Sequence, residues 1–70
     1  MKLSARNQLQ GEIVSIQEGA VNAIVSIKIK GGDIITSTIS MGSVKSLNLA
    51  VGKEAYAIIK ATSVMVGIDE

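Results

Sequence analysis

The chain contains no cysteine, histidine, proline, tryptophan or phenylalanine, and its single aromatic residue is Tyr56. Each absence removes a class of protein. Without cysteine there are no disulfides, and without cysteine or histidine the usual ligands of structural zinc are missing. Without histidine no Ser-His-Asp arrangement can form, and no serine sits in a nucleophile-elbow context. The six acidic residues are scattered, and Glu12 and Glu18 are not paired by their spacing. Nothing therefore marks a general acid–base pair. The Lys30-Gly31-Gly32-Asp33 segment lacks the glycine and lysine spacing of a phosphate loop. Lys60 has no cofactor motif beside it. An enzyme is not expected.

Other absences concern partners and compartment. Single-stranded nucleic acid is gripped by stacking aromatics in a basic groove. One aromatic residue and a net charge of +1 offer neither. No apolar run approaches the roughly 18 residues that a membrane span requires. Met1–Leu9 lacks the apolar segment of a signal peptide. These features lead us to expect a soluble, cytoplasmic protein with neither a nucleic-acid nor a membrane partner.

The chain does have apolar residues in excess of its size. Its 70 residues are 47% hydrophobic. A domain of this length buries only about 60% of its unfolded surface, so its own core is marginal. Small domains gain support from disulfides, metals or oligomerisation. With the first two disfavoured, self-association is the expected support.

The hydrophobic pattern is that of strands. Gly11 opens a strand pattern around Glu12–Gln17, and Glu18-Gly19 reads as a turn. From Ala20 to Lys30 the alternation is clean, with Val21, Ala23, Val25, Ile27 and Ile29 on one face. Gly31-Gly32-Asp33 is a hairpin turn, since glycine accepts positive φ without steric cost. Ile34–Ser40 is the returning strand. Ser43 is placed to cap one helical turn in which Val44 and Leu47 are spaced i, i+3. Gly52-Lys53 is another turn, Glu54–Ala61 a further strand, and Thr62-Ser63 interrupts before a short last strand through Val64, Val66 and Ile68. About five short strands with one helical turn between the third and fourth predict an all-β fold. A small Greek-key barrel of the OB type fits that order.

Hydrogen-bond donors are the remaining resource. Eight serines and three threonines outnumber the six acidic residues. An oxyanion site needs hydroxyls, backbone N–H groups and some positive charge, with few carboxylates nearby. Turns of small residues can aim successive N–H groups at an anion. The composition suits an anion better than a metal cation.

Four segments sharpen this reading: Ser4-Ala5-Arg6-Asn7-Gln8-Leu9, Gly19-Ala20-Val21-Asn22, Ile39-Ser40-Met41-Gly42-Ser43 and Ile59-Lys60-Ala61-Thr62-Ser63-Val64. In this order and spacing they closely resemble the molbindin family, the Mop or molybdenum-pterin-binding proteins. The resemblance runs from Met1 to about Gly67 and implies one TOBE-like domain over residues 1–70, standing alone. It further implies an OB-like barrel and a homo-oligomer, a hexamer built as a trimer of dimers. Molybdate, and tungstate with it, is expected at subunit interfaces, in the service of intracellular molybdenum storage or homeostasis.

The resemblance also implies roles for particular residues. Ser4, Ala5 and Arg6 match a first motif, where a hydroxyl and backbone N–H groups around the arginine contact the oxyanion. Ser40 and Ser43 match two hydroxyl positions, the first often threonine in the family. Lys60 matches the cationic ligand. Ala61 and Ser63 match its neighbours, giving an N–H and a hydroxyl. Ala20 and Val21 match a backbone-donor turn that forms a second class of site. Two other functions stay open: a pterin or molybdopterin binder, and a structural assembly module stapled by an oxyanion.

Each of these residues also has an ordinary explanation. Ser40 and Ser43 are good helix-cap residues. Lys60, in Ala57-Ile58-Ile59-Lys60-Ala61, fits a lysine that guards a strand edge. Arg6 fits a surface ion-pair partner, and Gly19–Asn22 a plain turn. Lys28 and Lys30 read as solvated. Val44, Leu47 and Leu49 read as core or interface.

Overall fold

The computed structural model describes residues 1–70. Four strands form one antiparallel sheet: β1 (Asn7–Glu18), β2 (Asn22–Ile29), β3 (Ile34–Ser40) and β4 (Glu54–Ile59). A short helix, α1 (Met41–Ser46), joins β3 to β4, and a single 3-10 turn (Ala61–Ser63) follows β4. The strand order is β3-β2-β1-β4. The sheet curls into an OB-like half-barrel, which bears out the all-β expectation with its one helical segment.

β1 organises the sheet. Its first half, Asn7–Glu12, pairs with β4, and its second half, Gly11–Glu18, pairs with β2. Gly11 therefore lies inside the strand, where β1 is flanked on both sides, and does not open it as its composition predicted. A Cβ on Gly11 would stand 2.5 Å from the Lys28 carbonyl oxygen. The missing side chain lets the two strands cross closely, a recognised use of glycine within strands.

A bulge follows. Ile13 pairs with Ile27 and Ser15 with Ser26, so Val14 has no partner. A bulge adds one residue and reverses the in–out alternation beyond it. Ile13 and Ile16 thus both face the core although three positions separate them, and Val14 is turned out to partial exposure. This is why β1 shows no clean period of two, whereas β2 does. Ala23, Val25 and Ile27 are buried as their alternation predicts, and Lys28 and Lys30 are exposed. Val21 falls before the strand and is 73% exposed.

The β2–β3 hairpin turns at Gly31-Gly32, both with positive φ (94° and 96°), as expected. α1 begins one residue after β3. Its cap is Ser40, three residues ahead of the expected Ser43, and the Ser40 hydroxyl accepts the Ser43 N–H at 3.0 Å. The helix stops because Asn48 takes a left-handed conformation, φ 52°. Leu49 N–H then donates to the Val44 carbonyl and Asn48 N–H to that of Lys45, a paired C-terminal arrangement that helices often adopt. This stop swings Val44 and Leu49 against the barrel, while Leu47 stays exposed.

Only six residues are buried: Ile13, Ala23, Val25, Ile27, Val44 and Ala57. The fifth expected strand is extended at Val64 but pairs with no strand of this sheet. No helix is long and apolar enough to cross a membrane.

Gly11→Ala should destabilise the protein by about 1–3 kcal/mol, the usual cost of forcing atoms into a close contact. Urea unfolding at fixed protein concentration measures this, and an unchanged midpoint would show that the β1–β2 crossing has slack.

Candidate functional site

The candidate residues fall into two groups, gathered by strand pairing. The first lies where β1 begins and β4 ends. Asn7 is the Cα partner of Ile59, so Ser4-Ala5-Arg6 enters the sheet beside the point where Lys60-Ala61-Thr62-Ser63 leaves it. Two side chains brace this junction. Asn7 Nδ2 donates to the Ile59 carbonyl at 3.2 Å, and Gln8 Nε2 donates to the Ala5 carbonyl at 2.7 Å. Both residues stood in the quoted motif without an assigned role. Their contribution is to position the backbone on either side of Arg6 and before Lys60. The long-range partner of Asn7 was not readable from its neighbours in the chain.

The donors of this first group are uncommitted. The side-chain donors in the chain's hydrogen bonds are Asn7, Gln8, Gln10, Ser40, Ser46 and Lys53, which leaves Ser4, Arg6, Lys60 and Ser63 free. All four are exposed, and Ala5 is half-buried. In the 3-10 turn the Ser63 N–H donates to the Lys60 carbonyl at 2.9 Å. Ala61 opens that turn, and the opening N–H of a turn has no partner within it. No acidic residue lies in Ser4–Gln10 or in Ala55–Gly67. Two cations, two hydroxyls and backbone N–H groups thus gather without a carboxylate.

The second group lies at the far end of β1, around the β1–β2 turn and α1. Asn22 pairs with Ser40, and Met41 N–H donates to the Val21 carbonyl at 2.8 Å. These bonds set the Ala20-Val21 turn against the start of α1. Ser40 gives its proton to Ser43 Oγ at 2.9 Å and accepts the Ser43 N–H. Its hydroxyl is therefore occupied as a cap. The Ser43 hydroxyl accepts from Ser40, so its own proton remains available. Glu18 ends β1 two residues before Ala20, which makes this end less purely donor-lined than the first.

The two groups do not meet within one chain. β1 is 12 residues long, so its ends lie up to about 36 Å apart at roughly 3.3 Å per step. No group of three or more His, Cys, Asp or Glu side chains could hold a metal ion. The chemistry on offer is hydrogen-bond donation to an anion.

A curled, mostly β half-barrel with paired donor segments defines a small-ligand-binding domain. The TOBE domain model matches residues 3–66. A relative from Haemophilus influenzae, named "Probable molybdenum-pterin-binding protein", is 68% identical over 69 residues, covering 99% of this chain and 100% of that protein. The structure of MopII from Clostridium pasteurianum superimposes with a TM-score of 0.91 at 45% identity, covering 96% of this chain and 100% of the other. The cytoplasmic molybdate-binding protein ModG, solved with molybdate bound, superimposes with a TM-score of 0.93 at 43% identity, covering 99% of this chain and 49% of that one. The chain belongs to the TOBE-domain family of Mop molybdenum-pterin-binding proteins. These are binding proteins and not enzymes.

Capping and ligand binding by the serines can be separated. Ser40→Ala should cost about 1 kcal/mol of stability, a typical loss for an N-cap, and Ser40→Asp should restore it. Ser43→Ala should leave stability nearly unchanged, because Ser40 Oγ still accepts the backbone N–H. Chemical denaturation of the three variants measures this. Equal losses for Ser40→Ala and Ser43→Ala would contradict the assigned cap.

Proposed function

We propose that this protein binds molybdate, and tungstate with it, at the interfaces of a homo-oligomer, and that it serves molybdenum storage or homeostasis in the cytoplasm. The observation that carries the reading is the meeting of Ser4-Ala5-Arg6 with Lys60-Ala61-Ser63 across the Asn7–Ile59 pair. Every group offered there is a donor or a cation. Molybdate has two negative charges and four acceptor oxygens, and unprotonated it donates nothing. The molybdate-bound structure of ModG, similar over nearly the whole of this chain, supports the choice of anion.

In this reading Lys60 neutralises part of the charge, Arg6 adds to it, and Ser4, Ser63 and the Ala5 and Ala61 N–H groups supply directed bonds. Ala20, Val21, Ser40 and Ser43 form a second class of site. There Ser43 is the hydroxyl donor, and Ser40 acts mainly by holding Ser43 in place. One chain keeps the two groups apart and leaves all of these residues but Ala5 and Ser43 exposed. A second copy laid over them would lower the local dielectric and strengthen each bond. That supports shared sites in a closed assembly, and a hexamer built as a trimer of dimers provides them. A donor-only site also disfavours phosphate, whose remaining proton would lack an acceptor. Sulfate is smaller than molybdate and would sit loosely.

The pterin reading draws support from the names of relatives. The only aromatic face, that of Tyr56, lines an apolar groove and lies in neither donor cluster. Flat heterocycles favour aromatic contacts, so molybdate is the better-supported ligand.

Lys60→Ala should weaken molybdate binding about 10- to 100-fold, in line with roughly 1.5–3 kcal/mol for a charged hydrogen bond. The far-UV circular dichroism should be unchanged. Calorimetric titration checks this, and wild-type affinity in the variant would remove Lys60 from the site. Titration of molybdate in excess sulfate should give nearly the same affinity as without it. Strong competition would mean that cavity size does not discriminate.

A further inference from the structure

Two glycines have backbone atoms where a side chain would stand. One is Gly11, against the Lys28 carbonyl. The other is Gly19, where a Cβ would lie 2.7 Å from the Asn22 carbonyl oxygen. Gly11 lies where β1 is paired on both sides. Gly19 lies in the β1–β2 loop, where no other strand crosses. Nor does it serve a left-handed turn, since the glycines with positive φ are Gly31, Gly32 and Gly52. The close approach at Gly19 therefore belongs to the turn itself.

The bonds of this turn show what the approach achieves. Gly19 N–H donates to the Asn22 carbonyl at 2.9 Å, and Asn22 N–H gives no bond back to Gly19. A second bond fixes the far side, where Met41 N–H donates to the Val21 carbonyl at 2.8 Å. Met41 opens α1, and the first N–H groups of a helix have no acceptor within it. The peptide units before Gly19 and after Val21 are thus pinned. The two units between them are not, and their donors, Ala20 N–H and Val21 N–H, make no backbone bond in the turn. Both residues are exposed. Neither has positive φ, which short hairpin connections favour because it matches the twist of the strands. A turn without it splays the strands. The missing Cβ of Gly19 lets the one closing bond form all the same.

We propose that Gly19 is a positioning residue for the second class of oxyanion site. It keeps the turn closed, so that Ala20 N–H and Val21 N–H stand as a ready pair of adjacent donors before any anion arrives. Successive backbone N–H groups fixed in a turn form an anion-binding concavity. Preformed donors spare the ligand the cost of ordering the loop. A methyl group at position 19 cannot be accommodated by a side-chain shift, because the atom it meets is backbone. It displaces the Asn22 carbonyl, which breaks the closing bond and lets the two donors turn away. The inference deepens the second class of site described above and rests on that reading. It also separates the two donor groups, because the first is braced by Asn7 and Gln8 and does not depend on this turn.

Molybdate titration of the isotope-labelled full chain, followed through its amide resonances, tests this. In the wild type the Ala5 and Ala61 amides report the first donor group, and the Ala20 and Val21 amides report the second. Gly19→Ala should leave the Ala5 and Ala61 response at its wild-type molybdate concentrations. The Ala20 and Val21 response should need about 10- to 100-fold more molybdate, the factor that follows from losing one or two hydrogen bonds to a charged acceptor. A merely structural glycine would weaken both groups equally or neither, and either result overturns the proposal. A wild type in which Ala5 and Ala61 respond and Ala20 and Val21 do not would overturn it and leave binding at the first group intact. A wild type with no response at any of the four would overturn both. A second measurement needs no variant, and so decides the matter even if Gly19→Ala does not fold. In the wild-type chain without molybdate, and relative to unstructured rates, the Gly19 amide should exchange with deuterium about tenfold or more slower than the Ala20 and Val21 amides. Equal rates would show that the turn is not closed in advance and would overturn the role assigned to Gly19.

Discussion

The rest of the structure depends on the double pairing of β1. One strand of 12 residues serves two neighbours, β4 along its first half and β2 along its second. It can do so because Gly11 admits the Lys28 backbone and because the Val14 bulge resets the face that follows. Backbone groups in a sheet interior must be paired, and such a bend keeps the ladder on both sides while turning the sheet on itself. The curl makes a concave face from Ile13, Ala23, Val25, Ile27 and Ala57, and α1 closes one end of it with Val44. Without the turn in β1 there would be a flat sheet and no shared interior.

The same strand decides what the chain can bind alone. Its two ends carry the two donor groups, and its length keeps them apart. Each end offers hydroxyls and N–H groups, and the first adds the exposed cations Arg6 and Lys60. Electrostatic attraction across an open surface is weak and screened, whereas the same donors become effective once water is excluded. Under the proposed function, binding and assembly are thus one problem for this protein. The shortage of buried residues goes with a four-stranded sheet that closes only half a barrel.

Much of this was legible in the residues. The alternation from Asn22 to Ile29 identified β2 and its buried face, because a strand's period of two is local. The Gly31-Gly32 hairpin was legible for the same reason. The start of α1 was misjudged by three residues. Ser40 and Ser43 are both suitable caps, and only the end of β3 decides between them. The strand near Val64–Ile68 was legible as a pattern, yet a pattern cannot say whether a partner edge lies within reach.

The sequence by itself determined the chemistry: no nucleophile–base pair, no soft metal ligands, an excess of donors over carboxylates, and too much apolar surface for one short chain. Its four motifs determined the family. Tertiary structure alone decided which motifs meet. Ser4-Ala5-Arg6 joins Lys60-Ala61-Ser63 because Asn7 pairs with Ile59, a contact spanning 52 positions. Ala20-Val21 joins Ser40-Ser43 because Asn22 pairs with Ser40. Residue type sets what a group can donate or accept. Register, which depends on a bulge and a bend far along the chain, sets what that group stands beside.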